Sequence, residues 1–216
     1  MAYLTLLNPG VHSFEERKSK FIGKVLRVKS EEEAKQFIND VKNDNPQARH
    51  NVYAYVIGEN MGIQRYSDDG EPQGTGGIPA LNVIKKNNLT DCVVVVTRYF
   101  GGILLGTGGL IRAYSTAASK AIKNAGIVEK VIGIPIEITI EYDILEKFKY
   151  YCNQKEWFIE DINYSNKVCL LFYCEKARLE ELKNFVMNIT SGKCNIKEYE
   201  EEFYFKMENR LYKKTN

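Results

Sequence analysis

Apolar residues bunch, alternate or recur along this chain in patterns that predict its elements in order. Residues 11–28 read as two short extended segments, with Val25, Leu26 and Val28 near the end of the second. Ser30 followed by Glu31, Glu32 and Glu33 predicts a helix start, because Ser caps free N–H groups and acids favour the positive end of the helix. Ala34, Phe37, Ile38 and Val41 then recur at helical spacing, and Pro46 predicts the stop. Residues 51–57 alternate as a strand, Gly58 and Gly62 mark a turn, and a partner strand is expected at 63–66. Ile78, Leu81 and Ile84 predict a short helix ending near Asn87 and Asn88. The β-branched run from Val93 to Val96 predicts a strand covered on both faces. Leu110, Ile111, Tyr114, Ala117, Ala118, Ala121 and Ile122 form one apolar stripe, a long helix that Gly126 should end.

The pattern restarts at Gly133–Pro135, where a domain boundary is expected, giving domains 1–133 and 134–216. Ile134, Ile136, Ile138 and Ile140 alternate without a break, as a half-buried strand does. Asp143 with Glu146 resembles a capping box for a helix carrying Leu145, Phe148 and Cys152. Strands are expected at 157–163 and 167–174 around a Ser165–Asn166 turn. A second helix carries Leu179, Leu182, Phe185, Val186 and Ile189 up to Gly192, and one strand covers 194–206. The order β-α-β-β-α-β predicts a ferredoxin-like second domain, and the whole chain reads as two-domain α+β.

Composition changes this picture little. Hydrophobic content of 44% with 27% charged residues is that of a soluble globular protein. The net charge is only +2, divided as +4 over residues 1–134 and −2 over 135–216, so an anionic partner is weakly favoured for the first part. Five cysteines without CxxC spacing read as small buried hydrophobes in a reducing compartment. The N-terminal residues lack a basic segment followed by a long apolar run, and no apolar stretch is long enough to span a membrane. A cytoplasmic protein with no membrane partner is expected.

The candidate chemistry lies in one stretch. Nine of the 16 glycines fall between Gly70 and Gly109, and Gly-Thr-Gly-Gly occurs twice, at 74–77 and 106–109, each time before a helical pattern. Glycine at this density costs backbone entropy, so either the chain turns tightly or something approaches it closely. Two helix N-termini with free N–H groups would attract anions. The candidate anion site therefore comprises Gly74, Thr75, Gly76 and Gly77 with Gly106, Thr107, Gly108 and Gly109. Arg65, Arg98 and Arg112 would supply charge and Tyr99 would stack a base. Asp68, Asp69 and Glu71 are either candidate Mg²⁺ ligands, turn formers, or salt-bridge partners of those arginines. Nucleotide-binding signatures fail, because Gly101–Thr107 lacks the lysine of a P-loop and neither GTGG completes GxGxxG. His12 and His50, with no clustered cysteine or serine, offer no catalytic triad and no zinc site.

RYSDDGEPQGTGG followed by VVVVTRYFGGILLGTGGLIRAYS closely resembles the YigZ/IMPACT family. That resemblance implies a first domain with the ribosomal protein S5 domain 2-like fold. It implies a ferredoxin-like second domain similar to the last domain of elongation factor G. Both comparisons point to the translation apparatus, and the family carries no established enzymatic activity. The eukaryotic branch acts through protein contacts of an added domain that this chain lacks. The expected function is an RNA- or ribosome-associated modulator of translation without a cofactor. The alternatives are a Mg²⁺-dependent enzyme on a small phosphorylated substrate, using the Asp68, Asp69 and Glu71 loop, and a protein-interaction module.

Overall fold

The computed structural model describes residues 2–213 and divides into two compact units, Tyr3–Val128 and the chain from Glu129 onward. The first unit contains β1 (Tyr3–Leu6), β2 (Gly10–Glu16), β3 (Ser19–Arg27), α1 (Glu31–Asp44), β4 (His50–Ile57) and β5 (Ile63–Ser67), then α2 (Gly77–Lys86), β6 (Cys92–Tyr99) and α3 (Thr107–Ala125). Five strands form an antiparallel sheet in the order β2-β3-β6-β4-β5. The β-branched run sits in its central strand and is buried on both sides. Val94 and Val96 join the core under α2 and α3, while Val93 and Val95 join the core under α1. Ser30 Oγ accepts the N–H of Glu33, and Glu33 Oε2 accepts the N–H of Lys29, so α1 starts as its sequence predicts. The small residues of the α3 stripe let the helix lie close on the sheet. A side chain at Gly23 would come within 2.6 Å of the Ala117 carbonyl oxygen, so glycine on β3 is the counterpart of alanine on α3.

The second unit contains β7 (Ile127–Ile140), α4 (Leu145–Gln154), β8 (Ile159–Tyr164), β9 (Val168–Glu175), α5 (Leu179–Thr190), β10 (Asn195–Glu198), β11 (Glu202–Met207) and β12 (Arg210–Tyr212). The order β10-β7-β9-β8, all antiparallel, is the ferredoxin-like arrangement. Ile134, Ile136, Ile138 and Ile140 pack with Phe148 of α4, Phe172 of β9 and Val186 of α5. Residues 133–135 lie inside β7, which runs unbroken from Ile127 to Ile140.

Two local expectations are corrected. The single strand expected at 194–206 is two strands on the same edge of β7. The register shifts by one residue between the Glu198–Ile136 and Glu202–Gly133 pairs, where Pro135 accepts from Tyr199 N–H but has no N–H to return. Asp143 does not cap a helix: it lies in a 3₁₀ turn, Tyr142–Ile144, and α4 begins after it without a side-chain cap. The five cysteines are free. Burial pushes the thiols of Cys152 and Cys174 up to about 12, whereas Cys169 and Cys194 are only half-buried. Among the described residues no helix is long and apolar enough to cross a membrane.

Candidate anion-binding site

The two GTGG repeats are identical in sequence and different in structure. Helix α2 begins at the fourth residue of the first repeat, after Gly76, whereas α3 begins at the second residue of the other, after Gly106. In the first repeat the glycines have local causes. Side chains at Gly76 and Gly77 would come within 2.8 Å of Val52 and 2.9 Å of the Ser67 backbone, and Gly74 has φ +77°. Thr75 is buried and donates its hydroxyl to the Pro72 carbonyl at 2.6 Å. The N–H groups of this turn are engaged by the protein itself. Asp68 Oδ1 accepts from Gly76 and Gly77 at 2.9 and 2.8 Å, and Oδ2 accepts from Gly74 at 2.8 Å. Burial opposes the charge on Asp68, but the three N–H donors together hold its carboxyl below its ordinary value.

The second repeat is open. Gly106 caps α3 with φ +72° and ψ 166°, a conformation restricted to glycine, and no side chain caps the helix. The first turn has no acidic residue. Among the described residues no protein acceptor meets the N–H groups of Thr107, Gly108 or Gly109. A side chain at Gly108 would meet nothing within 4 Å, and φ is not positive there. Packing and backbone conformation therefore leave that glycine unexplained, although it costs a helix about 1 kcal/mol relative to Ala.

The sequence-predicted cations separate. Arg98 continues the Val94–Val96 face toward α3, is only 5% exposed, and donates to Glu71 Oε1 at 2.7 Å. The same oxygen accepts the Tyr114 hydroxyl at 2.7 Å, and the guanidinium lies between the rings of Phe21 and Phe100 at 5.5 and 5.3 Å. Burial and the Glu71 charge push the Tyr114 phenol far up. Arg98 is thus a buried ion-pair partner. Arg65, paired across the sheet with Tyr55, approaches Glu31 of α1 at 3.7 Å, and Tyr99 donates to Asn45 at the end of α1. Both therefore lie on the α1 face of the sheet, away from α2 and α3. Arg112 is exposed on α3 and lines a cavity of about 360 Å³ with Arg17 and Gly109. Arg49 lines a second cavity, of about 430 Å³, with Gly106 and Thr107. Arg17 and Arg49 escape sequence reading because only strand pairing brings β2, β4 and the end of β6 together; both His50 and Phe21 lie opposite Arg98.

The acidic trio is also dispersed among partners. Besides Asp68 on its glycine turn, Asp69 binds Lys42 at 2.8 Å and accepts from Asn51 N–H at 2.6 Å, while Glu71 serves Arg98 and Tyr114. Among the described residues no group of three His, Cys, Asp or Glu is placed to hold a metal ion. His50 Nδ1 lies 2.9 Å from the Asp69 carbonyl oxygen, which only accepts, so Nδ1 is the donor of this bond and Nε2 is the ring nitrogen left over.

This arrangement has relatives. Residues 17–122 match the Impact N-terminal domain and residues 138–193 match a domain of unknown function, DUF1949. The chain is 40% identical to the IMPACT family member YvyE of Bacillus subtilis, over 97% of each chain. It is 32% identical to YigZ of Escherichia coli, over 87% of this chain and 93% of that one. A crystal structure titled as a hypothetical protein, 30% identical, superposes with a TM-score of 0.60 over 93% of this chain and 98% of that one. The glycine turns, the buried Arg98 and all but the last three residues of α3 fall within the first matched domain, and the similarity continues through the second unit: the chain belongs to the IMPACT family.

Proposed function

We propose that this chain is a non-enzymatic RNA- or ribosome-associated protein that modulates translation, holding backbone phosphate at the N-terminus of α3. The observation that carries this reading is the contrast between the two glycine turns. The first already binds an oxyanion, the carboxylate of Asp68, through three N–H groups. The second offers the N–H groups of a 19-residue helix with no internal anion, flanked by Arg17, Arg49 and Arg112. An N-terminal helix dipole and oriented N–H groups favour phosphate, and exposed arginines add counterion release. Membership of the IMPACT family supports a place in translation.

The test is affinity for RNA and for ribosomes against salt concentration. Arg49→Ala and Arg112→Ala should each weaken binding with little sequence preference, and each should flatten the plot of log K against log salt by about one unit if one phosphate contact is lost. Arg65→Ala, on the other face of the sheet, should leave both affinity and slope unchanged. Equal behaviour of all three variants would remove α3 from the binding surface.

A further inference from the structure

We propose that the cavity beside the α3 N-terminus accepts one unpaired nucleotide, with its phosphate on the helix N–H groups and its base against Phe100 and Leu104. This rests on the RNA reading above and names the chemical unit recognised. The cavity, about 430 Å³, is in the size range of small-molecule sites. Its walls are of two kinds. Leu104, Leu105 and Phe100 are apolar, while Arg49, His50, Thr107 and the Glu71–Arg98 ion pair, in which Arg98 neutralises the carboxylate, are polar. A site for phosphate alone has no use for the first kind.

Leu104 is 80% exposed and Phe100 is 40% exposed, although both lie between strand β6 and a helix whose other apolar residues are largely buried. Phe100 has one side of its ring near the Arg98 guanidinium, so a base laid on its free area would stack on a cation-backed ring. Arg98 is itself buried, lines the cavity, and keeps its Nε without a partner among the described residues. His50, whose Nδ1 is committed to the Asp69 carbonyl, leaves Nε2 as the ring nitrogen that can hydrogen-bond the edge of a base. Gly106 and Gly108 leave the approach to the helix N–H groups free of side chains. Bases held in a duplex cannot enter such a cavity, so the site selects single strands, loops or ends.

The experiment measures fluorescence anisotropy of the full chain with one labelled RNA strand, presented alone, annealed to its complement, or made abasic. The single strand should bind about tenfold tighter than the duplex or the abasic strand, in line with the usual worth of one stacked base. Uridine or adenosine monophosphate should displace it at concentrations where inorganic phosphate does not. Leu104→Ser, at an exposed position that leaves the core intact, should lower affinity for the single strand about fivefold and leave the duplex unaffected. Equal affinity for all three forms would overturn the nucleotide pocket while leaving phosphate binding at α3 standing. Base-dependent binding that ignores Leu104→Ser and Phe100→Ala would place the bases elsewhere and overturn it too. No binding of any RNA, with tight binding of an acidic apolar peptide instead, would remove both this proposal and the RNA reading.

Discussion

Asp68 and Glu71, three residues apart in one loop, show how the same side-chain chemistry serves two structural tasks. Asp68 ties down a glycine turn, and Glu71 neutralises a buried arginine. Asp68→Asn keeps the shape but turns one acceptor oxygen into a donor facing an N–H group. It should cost about 2 kcal/mol near neutral pH, in the range for hydrogen bonds to a charged group. The pH dependence has a definite sign. The carboxyl is depressed in the fold, so its stabilisation is complete above the unfolded value of about 3.9 and is lost as pH falls through the folded value. The gap between wild type and Asp68→Asn in urea midpoint should therefore close in acid; a gap of constant size would mean that charge is not involved. For the buried pair, Glu71→Ala should cost about 3–5 kcal/mol because it strands Arg98, whose side chain is 6% exposed. Adding Arg98→Met to Glu71→Leu should recover much of that loss. A double variant no more stable than the singles would show that the Tyr114 hydroxyl, and the Ser19 hydroxyl that accepts from Arg98 at 3.4 Å, set the cost and not the ion pair.

At the scale of the element, α3 carries a glycine that its own fold does not require. A side chain at position 108 would project into open space, so Gly108→Ala should raise stability by up to about 1 kcal/mol in thermal or urea unfolding. The same variant should weaken RNA binding if phosphate approaches the helix N–H groups there. Gly106→Ala should instead destabilise, since φ +72° with ψ 166° is accessible only to glycine. A Gly108→Ala protein that gains stability and binds RNA as before would separate this glycine from function. The elements themselves were legible from periodicity: the capped start of α1, the doubly buried β6 and the Gly126 stop of α3 all stand where their residues predict. What escaped were the short strands β1 and β12, the break between β10 and β11, which depends on the pairing of Pro135 across the sheet, and the 3₁₀ turn that takes Asp143 away from a capping role.

For the whole molecule, the two units should fold as separate chains, with the point of division mattering more than hydrophobic patterning suggests. Residues Glu129–Gly133 of β7 pair with β11, and Val131 packs with Tyr204 and Leu211. A fragment starting at residue 129 should therefore be cooperatively folded, whereas one starting at 134 should lose the support of the β11–β12 hairpin and unfold at lower urea. Circular dichroism and urea titration of both fragments, beside residues 3–128, measure this. Two C-terminal fragments of equal stability would show that the hairpin contributes little, and unfolded fragments on both sides would make the chain one cooperative unit.

Hydrophobic periodicity, helix caps and glycine stops depend on neighbours within a few residues, so the sequence by itself determined the order of the helices and of the strands between residues 10 and 175, the α+β class and the ferredoxin-like second half. The YSDDGEPQGTGG and TRYFGGILLGTGG stretches likewise marked the family and the region of interest. Tertiary structure decided what the identical turns do. Asp68 reaches back to fill one, and nothing among the described residues fills the other. It also sorted the arginines, burying Arg98, sending Arg65 to the α1 face, and bringing Arg17 and Arg49 to α3 from distant positions in the chain. Strand order and register set which side chains share a face, and these arise from pairings between residues far apart in sequence, which local pattern does not encode.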